Sequence, residues 1–294
     1  MGDTTDALGS LVTHHNALNT PSTRPDYVTK ITTNRFASQY NMTHKHRGMA
    51  LIFNHEHFDN NLQAARTGTN LDCAKLTHVL EQLDFDVTTY KDYRYEEILS
   101  TVKYAAAQKH DDNDCILVAI LSHGGMGYIH ARDEIYKLDE VWTCFTAENC
   151  PSLATKPKLF FIQACMGDRL DAGVKMQMKR IETDGDSKMS YKIPNHADFL
   201  IAYSTVPGFY SWRNKEKGSW FIQSLCEQLA SNGKRLDILT LLTRVCQRVA
   251  HDFESNNSKE PEFDQKKQTP CINTMLTRIL LFNDKKKTPV AAAN

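Results

Sequence analysis

Short, continuous runs of apolar residues alternate with amphipathic segments along most of this 294-residue chain. Continuous apolar runs of about five residues are typical of strands buried on both faces, whereas longer amphipathic segments are typical of surface helices. Buried strands that alternate with helices predict a mostly parallel central sheet with helices on both faces. The fold class is therefore expected to be α/β.

The regular elements are expected to follow a polar segment, residues 1–45, which lacks helical or strand periodicity and is predicted to be a flexible leader. Thr69 is a candidate cap for the first helix, and Gly233 is a candidate stop between the last two. The expected strands are residues 48–53, 85–90, 115–121, 159–164, 197–203 and 272–282. The expected helices are residues 69–83, 95–108, 217–231 and 236–253.

Chemically useful residues follow the predicted strands. In parallel sheets of this kind, sites form beyond the carboxyl ends of the strands. His123 and Gly124 follow one strand, Cys165 ends the next, and residues 210–213 lie beyond a third. A thiol is the strongest side-chain nucleophile near neutral pH, but it needs a base and an oxyanion site. The pattern predicts Cys165 as a nucleophile, His123 as its proton-transfer partner, and the N–H groups of Gly124 and Cys165 as oxyanion donors.

The charge and cysteine content weigh against several other classes of function. Lysine plus arginine equals aspartate plus glutamate, at 35 each, so nothing global indicates binding to nucleic acid or to an anionic membrane. The eight cysteines form no C-x-x-C pair, so a zinc site is not expected, and no metal or organic cofactor is indicated. The start lacks a signal-peptide pattern, and no apolar stretch approaches the roughly 20 residues of a membrane span. A cytoplasmic location is therefore expected.

The sequence around Cys165 resembles a known family. Residues 163–167 are Gln-Ala-Cys-Met-Gly, similar to the Q-A-C-x-G signature of caspases, and His123 lies 42 residues upstream of the cysteine. The resemblance extends from about Tyr40 to the C-terminus, and it includes residues 47–54, 66–69, 158–165, 210–214 and 218–221. The chain looks like an effector caspase with a short leader, closest to those of insects.

This resemblance implies the caspase-type fold and a role for each site residue. Cys165 would be the nucleophile and His123 its partner, with Gly124 contributing an oxyanion N–H. Two guanidinium groups hold a carboxylate well through charge-assisted, bidentate hydrogen bonds. The implied substrate-binding residues are Arg66, Gln163 and Arg213, around the substrate aspartate, and Tyr210 and Trp212, against the residue that precedes it.

The resemblance also implies activation by cleavage. Residues 181–185, Ile-Glu-Thr-Asp-Gly, form a caspase-type cleavage sequence within a charged stretch, residues 168–192, that is expected to be an inter-subunit linker. Loops of about this length inside compact domains are uncommon and often functional. Cleavage after Asp184 would separate a large catalytic subunit, residues 46–184, from a small subunit, residues 185–294.

A second candidate cleavage site lies in the leader. Cleavage after Asp6 would remove a prodomain of residues 1–6 and expose Ala7 as a new N-terminus. A free N-terminal alanine in this context resembles the ligand of inhibitor-of-apoptosis proteins. The expected partners are therefore aspartate-containing protein substrates, a second copy or a paralogous caspase, an upstream initiator caspase and an inhibitor-of-apoptosis protein, with no nucleic acid and no membrane.

Two positions depart from the family pattern, and they leave two functions open. Gly125 replaces the usual glutamate after His-Gly, and Met166 replaces the usual arginine or glutamine after the cysteine. We hypothesise that the usual pair contact each other and brace the two catalytic loops. The first reading is an active effector caspase, made as a dimeric zymogen, that cuts proteins after aspartate in apoptosis. The second is a catalytically impaired homologue that dimerises with an active caspase or titrates its inhibitor. A third reading, an unrelated hydrolase on the same sheet plan, would make the two pocket arginines accidental.

Overall fold

A computed structural model describes residues 34–59, 62–171, 196–214, 216–256 and 260–285. In these residues the α/β prediction is confirmed: a six-stranded sheet lies between helices on both faces. Among the described residues, no helix is long and apolar enough to cross a membrane.

Eleven strands and five α-helices are described, several of them very short. The strands are β1 (Met49–Asn54), β2 (Asp86–Lys91), β3 (Ile116–Leu121), β4 (Gly124–Gly125), β5 (Tyr128–His130), β6 (Ile135–Tyr136), β7 (Lys158–Gln163), β8 (Phe199–Tyr203), β9 (Arg213–Asn214), β10 (Gly218–Ser219) and β11 (Cys271–Thr274). The helices are α1 (Thr69–Gln82), α2 (Tyr95–Ala106), α3 (Asp139–Trp142), α4 (Trp220–Asn232) and α5 (Ile238–Asp252).

The central sheet has the order β11-β8-β7-β3-β1-β2, and only β11 runs antiparallel to its neighbour. Its strands β3 and β7 pair in register, with Leu121 opposite Gln163. Because the carboxyl ends of parallel strands meet at one edge, this register brings the residues that follow β3 beside those that follow β7.

The central strands are buried on both faces, as their continuous apolar sequences predict. In β3, Leu117 and Ala119 belong to the core layer formed with α1, α4 and α5. Val118 and Ile120 belong to the opposite layer, formed with α2 and α3. Every residue of β3 and β7 is buried, so these two strands are a rigid base for the loops that follow them.

The end of the chain and the leader differ from expectation. The predicted strand 272–282 is wrong in extent, because β11 ends at Thr274, opposite Leu200 near the start of β8. The next residue, Met275, donates its N–H to the carbonyl of Phe199, the first residue of β8, at 2.8 Å, and no β8 residue lies beyond it. At the other terminus, Tyr40 and Met42 are buried in the core, so packing begins before the predicted end of the leader.

The predicted cap of α1 is also wrong. Gly68, at φ 90°, is the N-cap residue, and Thr69 is the first helical residue. Gly68 suits this left-handed conformation because it has no Cβ. The Thr69 hydroxyl instead donates to Asn54 Oδ1 at 2.7 Å. At the far end of the domain, α4 ends at Asn232 with Gly233 as its C-cap, as predicted.

Candidate active site

The predicted nucleophile and its partner lie on one cleft at the carboxyl edge of the sheet. This cleft has a volume of about 710 Å³. His123 follows β3 and Cys165 follows β7, and the Ser122 N–H donates to the Gln163 carbonyl at 3.1 Å to hold the two strand ends together. The strand-end argument therefore selected residues that the fold brings to the same place.

His123 is oriented by a backbone group. Its Nε2 lies 2.8 Å from the Ala64 carbonyl oxygen. Because a carbonyl only accepts, Nε2 must carry the proton, and this leaves Nδ1 as the basic nitrogen. The ring also packs against Phe58, with the centroids 5.1 Å apart. Burial, with smaller contributions from Arg66 and Arg213, lowers the pKa of His123 to about 4, so the imidazole is neutral at pH 7.

Cys165 is half-buried beside the backbone of Ser211. Its Sγ accepts the Ser211 N–H at 3.4 Å and lies 3.8 Å from the Ser211 carbonyl oxygen. Burial raises the pKa of the Cys165 thiol, while the Ser211 N–H and the two arginines oppose that shift. The resting site is therefore a neutral thiol beside a neutral imidazole, and the thiol proton must leave during attack.

Gly124 has no room for a side chain. A Cβ at this position would lie 2.9 Å from the Tyr128 carbonyl oxygen, 3.0 Å from the Cys165 carbonyl oxygen and 3.1 Å from the Ala164 Cβ. The close approach of the two catalytic loops thus requires glycine here. Its role as an oxyanion donor remains a prediction.

Arg66 and Arg213 line the same cleft as Cys165, and their role around a substrate aspartate stays a prediction. The Arg66 Nη1 donates to the His55 carbonyl at 2.9 Å and to the Thr69 hydroxyl at 2.8 Å. The Arg213 Nε donates to the Thr67 carbonyl at 3.1 Å. Burial lowers the pKa of Arg66 to about 9, with Arg213 as the next cause, and burial also lowers the pKa of Arg213. Because arginine keeps its proton in proteins, both guanidinium groups are cations at pH 7.

Two further polar groups accompany the arginines, Gln163 in the cleft and Asp72 behind it. Gln163 donates from Nε2 to the Ser211 hydroxyl at 2.8 Å, while its Oε1 is buried with no partner among the described residues. Asp72, buried in the first turn of α1, accepts the Ser219 N–H at 2.9 Å. The carboxylate acts electrostatically on both arginines and partly offsets their mutual repulsion.

Aromatic side chains form a wall next to the pocket. Tyr210 and Trp212 lie with their ring centroids 6.5 Å apart, and their contact with the substrate stays a prediction. Phe263 meets both of them edge-on, at 6.0 and 6.4 Å. Trp220 stacks on Trp212 from the core side at 5.8 Å.

The departure at Gly125 has a visible structural counterpart. A Cβ at Gly125 would lie 2.4 Å from the ring of Tyr128, so this ring occupies the space of a residue-125 side chain. Met166 is half-buried, and its backbone N–H donates to the Phe209 carbonyl at 3.0 Å. The idea that a polar pair at these two positions would brace the loops stays a prediction.

Several site residues escaped the sequence argument. Ala64 acts through its carbonyl and Ser211 mainly through its backbone, and backbone groups carry no side-chain signature. Phe263 is a lone aromatic residue in a polar loop, and this isolation is the one sequence feature that could have indicated a site residue. The candidate cleavage residues Asp6 and Asp184 lie outside the described residues.

Comparisons with known proteins agree with this geometry. The model of the caspase domain family matches residues 47–281. Caspase drICE of Drosophila melanogaster is 70% identical over 262 residues, which cover 89% of this chain and 77% of that protein. Caspase-1 of the same species is 55% identical over 289 residues, covering 97% of this chain and 90% of that protein. The crystal structure of caspase-1 from Spodoptera frugiperda superposes with a TM-score of 0.83 at 53% identity, covering 89% of this chain and 99% of that chain.

Proposed function

This chain belongs to the caspase family, and on that premise we propose that it is an effector-type, aspartate-specific cysteine endopeptidase of apoptosis. One observation carries the proposal: Cys165, His123 and two charged guanidinium groups line a single cleft. An unrelated hydrolase has no need of a buried and a half-buried arginine beside its nucleophile. The relatives named above support the effector assignment.

The chemistry follows from the protonation states of the pair. Cys165 Sγ attacks the scissile carbonyl carbon while its proton passes to His123 Nδ1. The N–H groups of Gly124 and Cys165 stabilise the oxyanion that forms. His123 then gives the proton to the leaving amine, the C–N bond breaks, and water hydrolyses the thioester that remains.

Specificity for aspartate follows from the charge of the pocket. Arg66 and Arg213 present two cations to a carboxylate, and Gln163 adds an amide donor. Asparagine would leave these pocket cations unpaired, so we expect an asparagine peptide to be cleaved more slowly by about a thousandfold or more. Tyr210 and Trp212 would contact the residue that precedes the aspartate.

A direct assay tests the proposal. The protein is cleaved at Asp184, and hydrolysis of a fluorogenic Asp-Glu-Val-Asp peptide is compared with hydrolysis by the Cys165→Ala variant. The variant is expected to lose at least about a thousandfold in kcat/KM. An Asp-Glu-Val-Asn peptide is the substrate control. If wild-type rates equal those of Cys165→Ala, the protease assignment is wrong and the impaired-homologue reading, which depends on Gly125 and Met166, takes its place.

We further infer a zymogen organisation from the sequence. Cleavage after Asp184 by an upstream initiator caspase would give subunits 46–184 and 185–294, with 168–192 as the linker. Cleavage after Asp6 would expose Ala7 to an inhibitor-of-apoptosis protein. A cytoplasmic site of action fits this scheme. N-terminal sequencing of the processed protein, with Asp184→Ala as the control, tests the assignment.

The edge strand β11 supports dimerisation. It is the outermost strand of the central sheet, and an edge strand offers backbone hydrogen-bonding groups to another chain. Met275, just beyond β11, is 37% exposed and adds apolar surface there. We propose that a second copy, or a paralogous caspase, pairs at this edge. Sedimentation of wild type and of a Thr274→Pro variant tests it, because the Thr274 N–H faces away from β8 and proline removes that donor from the edge.

A further inference from the structure

Arg66 is a buried cation held without a carboxylate. It is 1% exposed, and no ion pair of Arg66 occurs in the part of the chain that the structure describes. Its Nε has no hydrogen-bond partner among the described residues. A cation in this position is poised for a ligand, but the long side chain must still be held in place before the ligand arrives.

A continuous set of hydrogen bonds runs from Arg66 to the protein surface. The Arg66 Nη1 donates to the Thr69 hydroxyl at 2.8 Å, and that hydroxyl donates to Asn54 Oδ1 at 2.7 Å. The Asn54 Nδ2 donates to Asn70 Oδ1 at 2.8 Å, and the Asn70 Nδ2 donates to the Glu56 carboxylate at 2.7 Å. We call Thr69, Asn54, Asn70 and Glu56 the Arg66 relay.

Every donor in the Arg66 relay points the same way, from the cation towards the carboxylate. Hydrogen bonds aligned in one direction polarise and strengthen one another. Glu56 is fixed at the outer end by Lys91, whose Nζ lies 2.8 Å from the same carboxylate oxygen. The relay therefore connects the guanidinium to a carboxylate through four hydrogen bonds, while no carboxylate of the described residues forms an ion pair with Arg66.

We propose that the Arg66 relay positions Arg66 for the substrate aspartate, so that its residues set substrate affinity and aspartate selectivity from outside the cleft. A direct salt bridge would neutralise Arg66 and compete with the substrate carboxylate. The relay instead holds Nη1, while Nε and Nη2 have no hydrogen-bond partner among the described residues. The proposal rests on the proposed protease function, because it concerns the same pocket.

The expected kinetic signature follows from pre-organisation. If the relay fixes Arg66 during folding, the entropy of ordering a long side chain is not lost again when substrate binds. A broken relay moves that cost to binding, which raises KM more than it lowers kcat. A mobile guanidinium can also shift to bind the carboxylate of the longer glutamate side chain, so discrimination between aspartate and glutamate should decrease.

The central variant is Thr69→Val, which keeps the shape and removes the hydroxyl. We expect KM for the Asp-Glu-Val-Asp peptide to rise about tenfold, with kcat changed less than about threefold. The ratio of kcat/KM for this peptide to that for Asp-Glu-Val-Glu should decrease at least about threefold. Thr69→Ser, which restores the hydroxyl, should recover both values.

Matched variants separate positioning from general destabilisation. Thr146 is 5% exposed and donates from its hydroxyl to the Thr143 carbonyl, away from the cleft, so Thr146→Val is the control for a lost buried hydroxyl. At the outer end, Glu56→Gln should raise KM about threefold. Glu81 lines the same surface groove as Asn54 and Asn70 but lies off the relay, so Glu81→Gln should leave KM unchanged.

The outcomes are distinguishable. If Thr69→Val leaves KM and the selectivity ratio unchanged, or if Thr146→Val alters them equally, the relay proposal is overturned. If Thr69→Val does not fold, Glu56→Gln decides, and a KM equal to that of Glu81→Gln overturns the proposal. Wild-type activity no higher than that of Cys165→Ala would instead overturn the protease function itself.

Discussion

Arg47 and Arg66 are each 1% exposed, and they lie at opposite ends of the central sheet. Arg47 precedes β1, and its guanidinium donates to the Asp114 carboxylate at 2.8 Å and to the Leu83 carbonyl at 3.0 Å. Arg66 lies beyond the carboxyl edge, where it is held by neutral acceptors and by the Arg66 relay. An arginine is thus paired with a carboxylate at the amino end of the sheet. At the carboxyl end, an equally buried arginine has no ion pair among the described residues.

The difference shows how the two ends of the sheet divide stability from function. At the amino end, Asp114 also binds His44 and Lys285, so one buried carboxylate ties the first described segment to the last. In such a network, the attraction between the paired charges offsets the free energy that their desolvation costs. At the carboxyl end Asp72 offsets that cost in part, without an ion pair to Arg66 among the described residues. The substrate carboxylate would supply the remaining compensation. The proposed substrate-binding role therefore lies at the end of the sheet where the buried arginine has no ion pair among the described residues.

Replacing Arg66 should break activity and spare the fold. We expect Arg66→Met to lower kcat/KM for the Asp-Glu-Val-Asp peptide about a thousandfold, because the substrate carboxylate loses a charged bidentate partner. The free energy of unfolding should change by less than about 1 kcal/mol, since the desolvation cost and two hydrogen bonds are lost together. Peptide hydrolysis and urea unfolding measure the two quantities. A large loss of stability with activity intact would reverse the comparison.

Replacing Arg47 should have the opposite result. We expect Arg47→Met to lower the free energy of unfolding by about 3 kcal/mol, because Asp114 stays buried with weaker compensation. The folded fraction should keep its kcat/KM, since Arg47 is remote from the cleft. Thermal unfolding, with the active-site concentration titrated, measures this effect. Equal stability of Arg47→Met and wild type would mean that the amino-end network adds nothing to folding.

The carboxyl end should also carry more of the acid sensitivity. His55 is fully buried, both of its ring nitrogens lack partners among the described residues, and burial lowers its pKa from 6.5 to about 4. Between pH 6.5 and about pH 4, His55 binds a proton in the unfolded chain but not in the folded chain. The stability due to neutral His55 is therefore present above pH 6.5 and is lost as the pH falls towards 4.

A variant at His55 isolates this effect. His55→Phe keeps an aromatic ring against Phe58 and removes the titration. Wild type should lose unfolding free energy between pH 7 and pH 4.5, and we expect this loss to be smaller by about 2 kcal/mol in the variant. The figure follows from about 1.4 kcal/mol for each unit of pKa shift. Urea unfolding at the two pH values measures it. A pH dependence identical to that of wild type would place the acid sensitivity elsewhere.

Some parts of the fold and of the site were predictable from the sequence, and others were not. The central strands were predictable because burial on both faces gives continuous apolar runs, and the strand-end rule then placed Cys165 and His123 together. Arg66 and Arg213 came from the family resemblance, since an isolated arginine looks the same in a salt bridge or a pocket. The Arg66 relay was not predictable, because Asn54 and Asn70 meet only when β1 and α1 pack. The shorter β11 depended likewise on where its partner begins.

The smallest expected effect concerns Gly125, where the carboxyl-end loops lack the polar pair usual in the family. Gly125→Glu alone must displace the Tyr128 ring, so we expect kcat/KM to change less than about threefold, with gain and strain opposed. Gly125→Glu with Met166→Gln should gain about tenfold, more than the two single effects combined, because the new side chains can bond to each other. Peptide hydrolysis of all four forms measures the coupling, and Gly125→Gln with Met166→Leu is the control without a polar pair. Simple additivity would show that Tyr128 already braces these loops and that the departure has little consequence.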